Sequence, residues 1–193
     1  MRTFLAIETT DAVKRLILSE LKAFHALDAG GAVRWVLPEN IHLTMAFLGD
    51  TSPERLPDLD RLLGDVACQT AAFPIRIGGI GVFPNVQQPR VIWLGVTEQA
   101  GALADLHRRL WEALQELGWE PEERPFRAHL TLGRVRREAA RPDLDQLGAA
   151  LKAPRPAHAT MTADSLTSFR SDLSPRGPVY TRLGIGKFRE VDR

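Results

Sequence analysis

The tetrapeptide His-Leu-Thr-apolar stands twice in this chain, as His42-Leu-Thr-Met45 and as His129-Leu-Thr-Leu132. Each copy lies in an apolar, β-branched stretch that reads as a strand, and strand geometry sends successive side chains to opposite faces. His42 and Thr44 therefore share one face, with Leu43, Met45 and Phe47 expected on the other, against a core. His129 and Thr131 share a face in the same way, opposite Leu130 and Leu132. Each copy offers an imidazole and a hydroxyl about 7 Å apart along its strand. A chain that repeats such a pair is expected to pack its two halves about a pseudo-two-fold, so that both pairs meet in one cleft.

Periodicity along the chain supports a repeated plan. Strands are expected over 4–7, 34–37, 41–49, 74–82, 90–96, 126–135, 159–169 and 179–185. Val13, Leu16, Ile17, Leu21 and Phe24 have helical spacing after Asp11, with Gly30-Gly31 as the break. Ser52-Pro53 opens a second helix, with Ser as N-cap and Pro in the first turn. Leu103 to Leu117 form a third, closed by Gly118, and a shorter one follows Pro142. The gaps between strands are hairpin-sized, which favours antiparallel pairing. The expected class is α+β: two pseudo-symmetric lobes, each an antiparallel sheet with helices outside, enclosing a central cleft. Residues 1–193 are expected to form a single two-lobed domain, each lobe supplying one motif.

Composition narrows the function. The 193 residues are 44% hydrophobic and 25% charged, which suits a globular core. Twenty-five basic against 24 acidic residues leave a net charge of +1, so no broad basic nucleic-acid face is expected. One cysteine, Cys68, leaves no internal disulfide framework and no Cys-rich zinc site. The N-terminal apolar run is too short for a signal peptide, and no window is long enough for a membrane-spanning helix. The expected setting is cytoplasmic and the expected state a monomer.

Two imidazoles facing each other across a small cleft suit metal-free hydrolysis of a phosphodiester. One neutral histidine takes a proton from water, and the other, protonated, gives one to the leaving oxygen. The threonine hydroxyls can hydrogen-bond the non-bridging phosphoryl oxygens, where charge builds in the transition state. The physics lets the two histidines exchange roles.

The motifs and their flanking words resemble those of the two-histidine (2H) phosphoesterases, and most of all the bacterial and archaeal RNA 2′,3′-cyclic phosphodiesterases, formerly called 2′-5′ RNA ligases. The matching segments are Arg34-Trp-Val-Leu-Pro-Glu-Asn-Ile-His-Leu-Thr-Met-Ala-Phe-Leu-Gly49, Gly81-Val-Phe-Pro84 with Pro89-Arg-Val-Ile-Trp-Leu-Gly95, Phe126-Arg-Ala-His-Leu-Thr-Leu-Gly-Arg134 and Gly177-Pro-Val-Tyr180. The resemblance implies opening of a terminal 2′,3′-cyclic phosphate on RNA to a 2′-phosphate without a cofactor or metal. It implies His42 as proton donor and His129 as proton acceptor, with Thr44, Thr131 and Arg134 on the phosphate. The implied partners are RNA 3′ termini, tRNA halves or small cyclic nucleotides. Ala128 stands where relatives often carry proline. Two other readings are open: a 2′-5′ RNA ligase or 2′-5′ phosphodiesterase, and a non-catalytic module that binds RNA ends.

Supporting residues follow from parity. Arg134 lies five positions past His129, on the core side of a regular strand, so a strand end or bulge at Gly133 is expected to turn it into the cleft. Arg127 has the parity of His129 and is a second phosphate candidate. Trp35 and Phe83 are candidates to stack a terminal base, while Trp93 and Phe47 are expected in the core. Arg136, Arg137 and Arg141 read as a solvated charge run. His25, His107 and His158 receive no role.

Overall fold

A computed structural model describes residues 1–26, 31–98, 100–122, 125–153, 156–175 and 177–190. Its nine strands are β1 (Arg2–Glu8), β2 (Val33–Trp35), β3 (His42–Asp50), β4 (Phe73–Phe83), β5 (Val91–Thr97), β6 (His129–Val135), β7 (His158–Ala163), β8 (Ser165–Ser174) and β9 (Gly177–Lys187). The helices are α1 (Asp11–His25), α2 (Leu56–Cys68), α3 (Ala102–Glu116) and α4 (Arg141–Lys152). The class is α+β and the strand pairing antiparallel, as the hairpin-sized gaps required.

All nine strands join one sheet, in the order β7-β4-β5-β6-β3-β1-β8-β9, with β2 continuing along the β3 side of β6. The halves β3-β1-β8-β9 and β7-β4-β5-β6 meet where Leu43 of β3 pairs with Leu130 of β6. The sheet is curled into a half-barrel, and the chain shows why it must be. β7 lies at one edge and β8 beside the other, yet Asp164 alone links them, so Ala163 and Ser165 stand within about 7 Å. The bridge from Ala71 to Arg189 and the Phe73–Phe188 ring stack draw the same ends together.

Several expected boundaries shift for local reasons. The strand expected over 159–169 is β7 and β8, which break at Asp164 and belong to different halves. The expected strand 126–135 begins only at His129. Ser52 makes no side-chain capping bond; a 3-10 turn, Pro53–Arg55, precedes α2. Pro57 has no N–H to give the Pro53 carbonyl, so a single α-helix through both prolines would lack that rung. Gly118 takes φ +82° just beyond α3, as a helix-closing glycine should. The break at Gly30-Gly31 falls partly outside the described residues; α1 ends at His25.

The halves are not successive stretches of chain. β8 and β9 return to pack beside β1, and α1 packs against β7 of the other half. The main core fills the helix-covered face, where Ile75, Ile77, Ile92, Leu94, Leu130 and Leu132 meet the helices. A small separate cluster, Phe4, Ala6 and Phe169 with Tyr180, lies on the opposite face. That second face is the cleft.

Candidate active site

Antiparallel pairing of Leu43 with Leu130 sets the two motifs side by side. Carried one residue each way, this register places His42 beside Thr131 and Thr44 beside His129. The histidines then stand diagonally across the strand pair, with Cβ atoms about 7 Å apart. That spacing leaves room for one phosphoryl group between the two rings.

Both imidazoles are held alike. The Nδ1–H of His42 donates to the Asn40 carbonyl at 2.8 Å, and that of His129 to the Arg127 carbonyl at 2.6 Å. Each carbonyl lies two residues upstream of its histidine. This fixes the proton on Nδ1 in the neutral ring and turns Nε2 toward the cleft. The turn carrying Asn40 is itself anchored, because the Asn40 side-chain amide donates to the Pro178 carbonyl of β9 at 2.8 Å.

Their surroundings differ. His42 stacks on Phe4, ring centroids 4.6 Å apart, and meets the edge of Tyr180 at 5.3 Å. Desolvation in this aromatic nest lowers its pKa from 6.5 to about 4, although the Asn40 carbonyl and Glu8 pull the other way. Glu8 is occupied: it accepts hydrogen bonds from Thr167 and Arg182. A cavity of about 270 Å³ opens beside His42, lined by Glu8, Asn40, Phe169, Tyr180 and Arg182 among others. His129 sits instead against the Phe83 ring, edge-on at 5.1 Å, and beside Trp93 at 6.2 Å.

A bulge at its fourth residue closes each motif. In β6 the register slips by one between Ile92 and Trp93 of β5, leaving Leu132 as the extra residue. His129, Thr131 and Arg134 therefore oppose Gly95, Trp93 and Val91, all of one parity, and share the cleft face. The expected bulge thus occurs, one residue before Gly133. Gly133 turns to the core side, where an added Cβ would lie 2.8 Å from the Trp35 ring. The Arg134 charge reaches Tyr180, whose hydroxyl pKa is raised by burial and partly lowered by that guanidinium.

Three sequence expectations are placed differently. Trp35 pairs with Gly133 on the core side of β2 and packs on buried Phe24 at 5.3 Å, so it faces away from the cleft. Phe47 is not in the core. The extra residue Met45 in β3, opposite the step from Leu5 to Ala6, turns Phe47 to the cleft face beside Phe4, where it is 54% exposed. Trp93 also lies on the cleft face, flat over Gly81, where a Cβ would sit 2.1 Å from its ring. Its indole N–H is buried and has no partner among the described residues. Arg136, Arg137 and Arg141 are exposed, as a solvated charge run should be, and the Arg136 guanidinium also donates to the Gly31 carbonyl.

Arg127 shares the face of His129, as its parity requires, with its exposed guanidinium 5.9 Å from the Phe83 ring, and Phe83 itself packs edge-on against His129. Sequence alone assigns no site role to the aromatic neighbours of His42 or to Arg34. Arg34 pairs with Arg134, shares its face and is exposed. The core-facing neighbours, buried Val33 and half-buried Trp35, signal this only once the pairing with β6 is known. Among the described residues, no three His, Cys, Asp or Glu side chains gather as metal ligands, and no helix is long and apolar enough to cross a membrane.

Residues 11–173 match the profile of the 2'-5' RNA ligase superfamily. The chain is 34% identical to the RNA 2',3'-cyclic phosphodiesterase of Archaeoglobus fulgidus over 185 residues, 96% of this chain and 99% of that one. It is likewise 34% identical to the enzyme of the same name from Methanothermobacter thermautotrophicus, over 96% of this chain and 97% of that one. Among solved structures, TT0787 of Thermus thermophilus superposes with a TM-score of 0.81 at 29% identity, covering 98% of this chain and 99% of that one. Escherichia coli LigT complexed with 3'-AMP superposes with a TM-score of 0.75 at 25% identity, covering 97% of each. By sequence along almost its whole length and by fold, the chain belongs to the 2'-5' RNA ligase superfamily, the two-histidine phosphoesterases.

Proposed function

We propose that this protein hydrolyses the terminal 2′,3′-cyclic phosphate of RNA to a 2′-phosphate by metal-free acid–base catalysis. The observation that carries the reading is the matched pair of tethered imidazoles, each with Nε2 toward one phosphoryl-sized gap. Relatives named RNA 2',3'-cyclic phosphodiesterase support the same substrate. RNA 3′ ends, including tRNA halves and small cyclic nucleotides, are the partners, and the 193-residue domain acts as a cytoplasmic monomer.

In this mechanism water lies between His129 and the phosphorus. His129 Nε2 takes the water proton as the new P–O bond forms. The P–O3′ bond breaks, and the Nε2–H of protonated His42 delivers a proton to O3′. The product is a 2′-phosphate monoester and a free 3′-hydroxyl. Thr44, Thr131 and Arg134 donate hydrogen bonds to the non-bridging oxygens. Arg34 and Arg127 add positive charge at the rim. Phe83 holds the His129 ring, and Phe47, exposed beside the phosphate, offers its face to the terminal base.

The depressed pKa of His42 bears on its role. In the free protein His42 is neutral at pH 7, so the donor assignment requires it to take up a proton with the anionic substrate, whose charge offsets the desolvation. The exchanged assignment, neutral His42 as base, needs no such uptake. Calorimetric binding of a 2′-phosphate product at pH 6, in two buffers of different ionisation enthalpy, separates the two assignments. Proton uptake that vanishes in His42→Gln supports the donor, and absence of uptake in the native protein reverses the roles.

The reaction itself is tested with a short RNA ending in a 2′,3′-cyclic phosphate, incubated with EDTA. A 2′-phosphate product is expected. No turnover, or turnover abolished by the chelator, overturns the proposal.

A further inference from the structure

β7 opens with His158-Ala-Thr-Met161, a third His-apolar-Thr-apolar word, to which the sequence reading gave no role. Its histidine is tethered as the other two are: the Nδ1–H of His158 donates to the carbonyl of Pro156, two residues upstream, at 3.3 Å. Its register is also specific. His129 pairs with Gly95, Gly95 with Gly78, and Gly78 with His158, forming one row across four strands. The next row sets Thr97 against Arg76 and Arg76 against Thr160. The alternating residues Ile75, Ile77, Val96 and Met161 are buried, so His158, Thr160, Arg76 and Thr97 all point to the cleft face.

Three strand spacings put His158 about 14 Å from His129 along the sheet. The ground between them is bare backbone. A Cβ at Gly95 would lie 2.9 Å from the Gly78 carbonyl oxygen, and one at Gly78 3.0 Å from that of Ala157. A cavity of about 320 Å³ lies at the far end, bounded by Arg76, Thr97 and His158 over Gly78 and Gly79, and among the described residues no carboxylate lines it. Arg76 has no acidic partner among the described residues. No second imidazole faces His158 as His42 faces His129, so this copy of the motif has the donors for an anion without an acid–base pair.

We propose that Arg76, Thr97, His158 and Thr160 form a second phosphate subsite, which holds a phosphodiester of the RNA upstream of its cyclic end, the strand crossing the Gly95–Gly78 floor. This rests on the reading of the histidine pair as an RNA phosphodiesterase. A cyclic mononucleotide reaches only the first site, whereas a strand of several nucleotides reaches both.

The experiment compares kcat/KM for a 2′,3′-cyclic mononucleotide with that for a tetranucleotide ending in the same group. The native protein should prefer the tetranucleotide. Arg76→Ala and His158→Ala should each lower the tetranucleotide value about tenfold and leave the mononucleotide value unchanged. Both side chains are exposed, so folding is not at stake. A second arm measures binding of a labelled tetranucleotide with a 2′-phosphate end against salt. There Arg76→Ala should reduce the slope of log K on log salt by about 0.7, one phosphate contact on a single strand. No length preference in the native protein, equal losses on both substrates, or an unchanged salt slope overturns the subsite. Failure of the catalytic reading shows differently, as no native turnover of either substrate, and the binding arm still decides.

Discussion

Phe47 and Arg134 occupy the same place in the two halves of the site. Each stands five residues past its histidine, each follows a one-residue bulge in its strand, and each is turned by that bulge from the core side to the cleft face. The pseudo-two-fold through Leu43 and Leu130 therefore relates an aromatic ring to a guanidinium. The half around His42 is aromatic, with Phe4, Phe47, Phe169 and Tyr180. The half around His129 is cationic at its rim, with Arg34, Arg127 and Arg134. A cyclic nucleotide has the same asymmetry, an anionic phosphate at one end and a flat base at the other.

Phe47→Ala is expected to weaken nucleotide binding without loss of stability. Base stacking on an aromatic side chain is worth about 1–3 kcal/mol, so KM for a cyclic mononucleotide should rise at least about fivefold. The ring is 54% exposed, and the melting temperature should stay within a few degrees. Trp35→Phe should do the reverse, lowering stability through the core while leaving KM in place. Steady-state kinetics and thermal melts on both variants check the pair.

His42→Ala and His129→Ala should each lower kcat by about 10²–10⁴-fold, the range for a positioned general acid or base. Product formation from a cyclic-phosphate-ended RNA measures this. Native-like rate in either variant removes that histidine from the mechanism.

The pH dependence of stability should carry the signature of His42. Its pKa is about 4 in the folded protein against 6.5 for an ordinary imidazole. The unfolded chain thus binds the proton more readily, and acid favours unfolding. The contribution is fully present above pH 6.5, falls as pH drops from 6.5 to 4, and is constant below; at its fullest it amounts to about 3 kcal/mol. Urea unfolding of the native protein and of His42→Gln at pH 7 and pH 4.5 should show a steeper acid loss in the native protein.

Gly81→Ala should disturb the site through Trp93. A Cβ there would stand 2.1 Å from the indole, which must lift off the sheet beside His129. Overpacking of this kind costs about 1–3 kcal/mol, and kcat should fall with it. Trp93→Leu in the Gly81→Ala background should restore stability, which distinguishes the clash from a backbone effect.

The chemistry and the class were legible in the order of residues alone. Residues two apart on a strand must share a face, so each His-x-Thr word specified an imidazole beside a hydroxyl, and apolar periodicity specified antiparallel strands alternating with amphipathic helices. Flanking words carried the family. Register was not legible in the same way. Phe47 reads as core when alternation is carried through Met45, and a bulge inverts parity without any signature as plain as a turn's. Trp35 reads as a free stacking ring until β2 pairs with β6 and sets it over Gly133 on the core side. Only the partner strand shows which residue is the extra one. The same limit hid Arg34, which meets Arg134 only through the β2–β6 pairing, and the row from His129 through two glycines to His158, whose ends meet only when β5 and β4 lie between them. Local order settles which side chains share a strand face, whereas cross-strand hydrogen bonds decide which strands, and so which faces, come together.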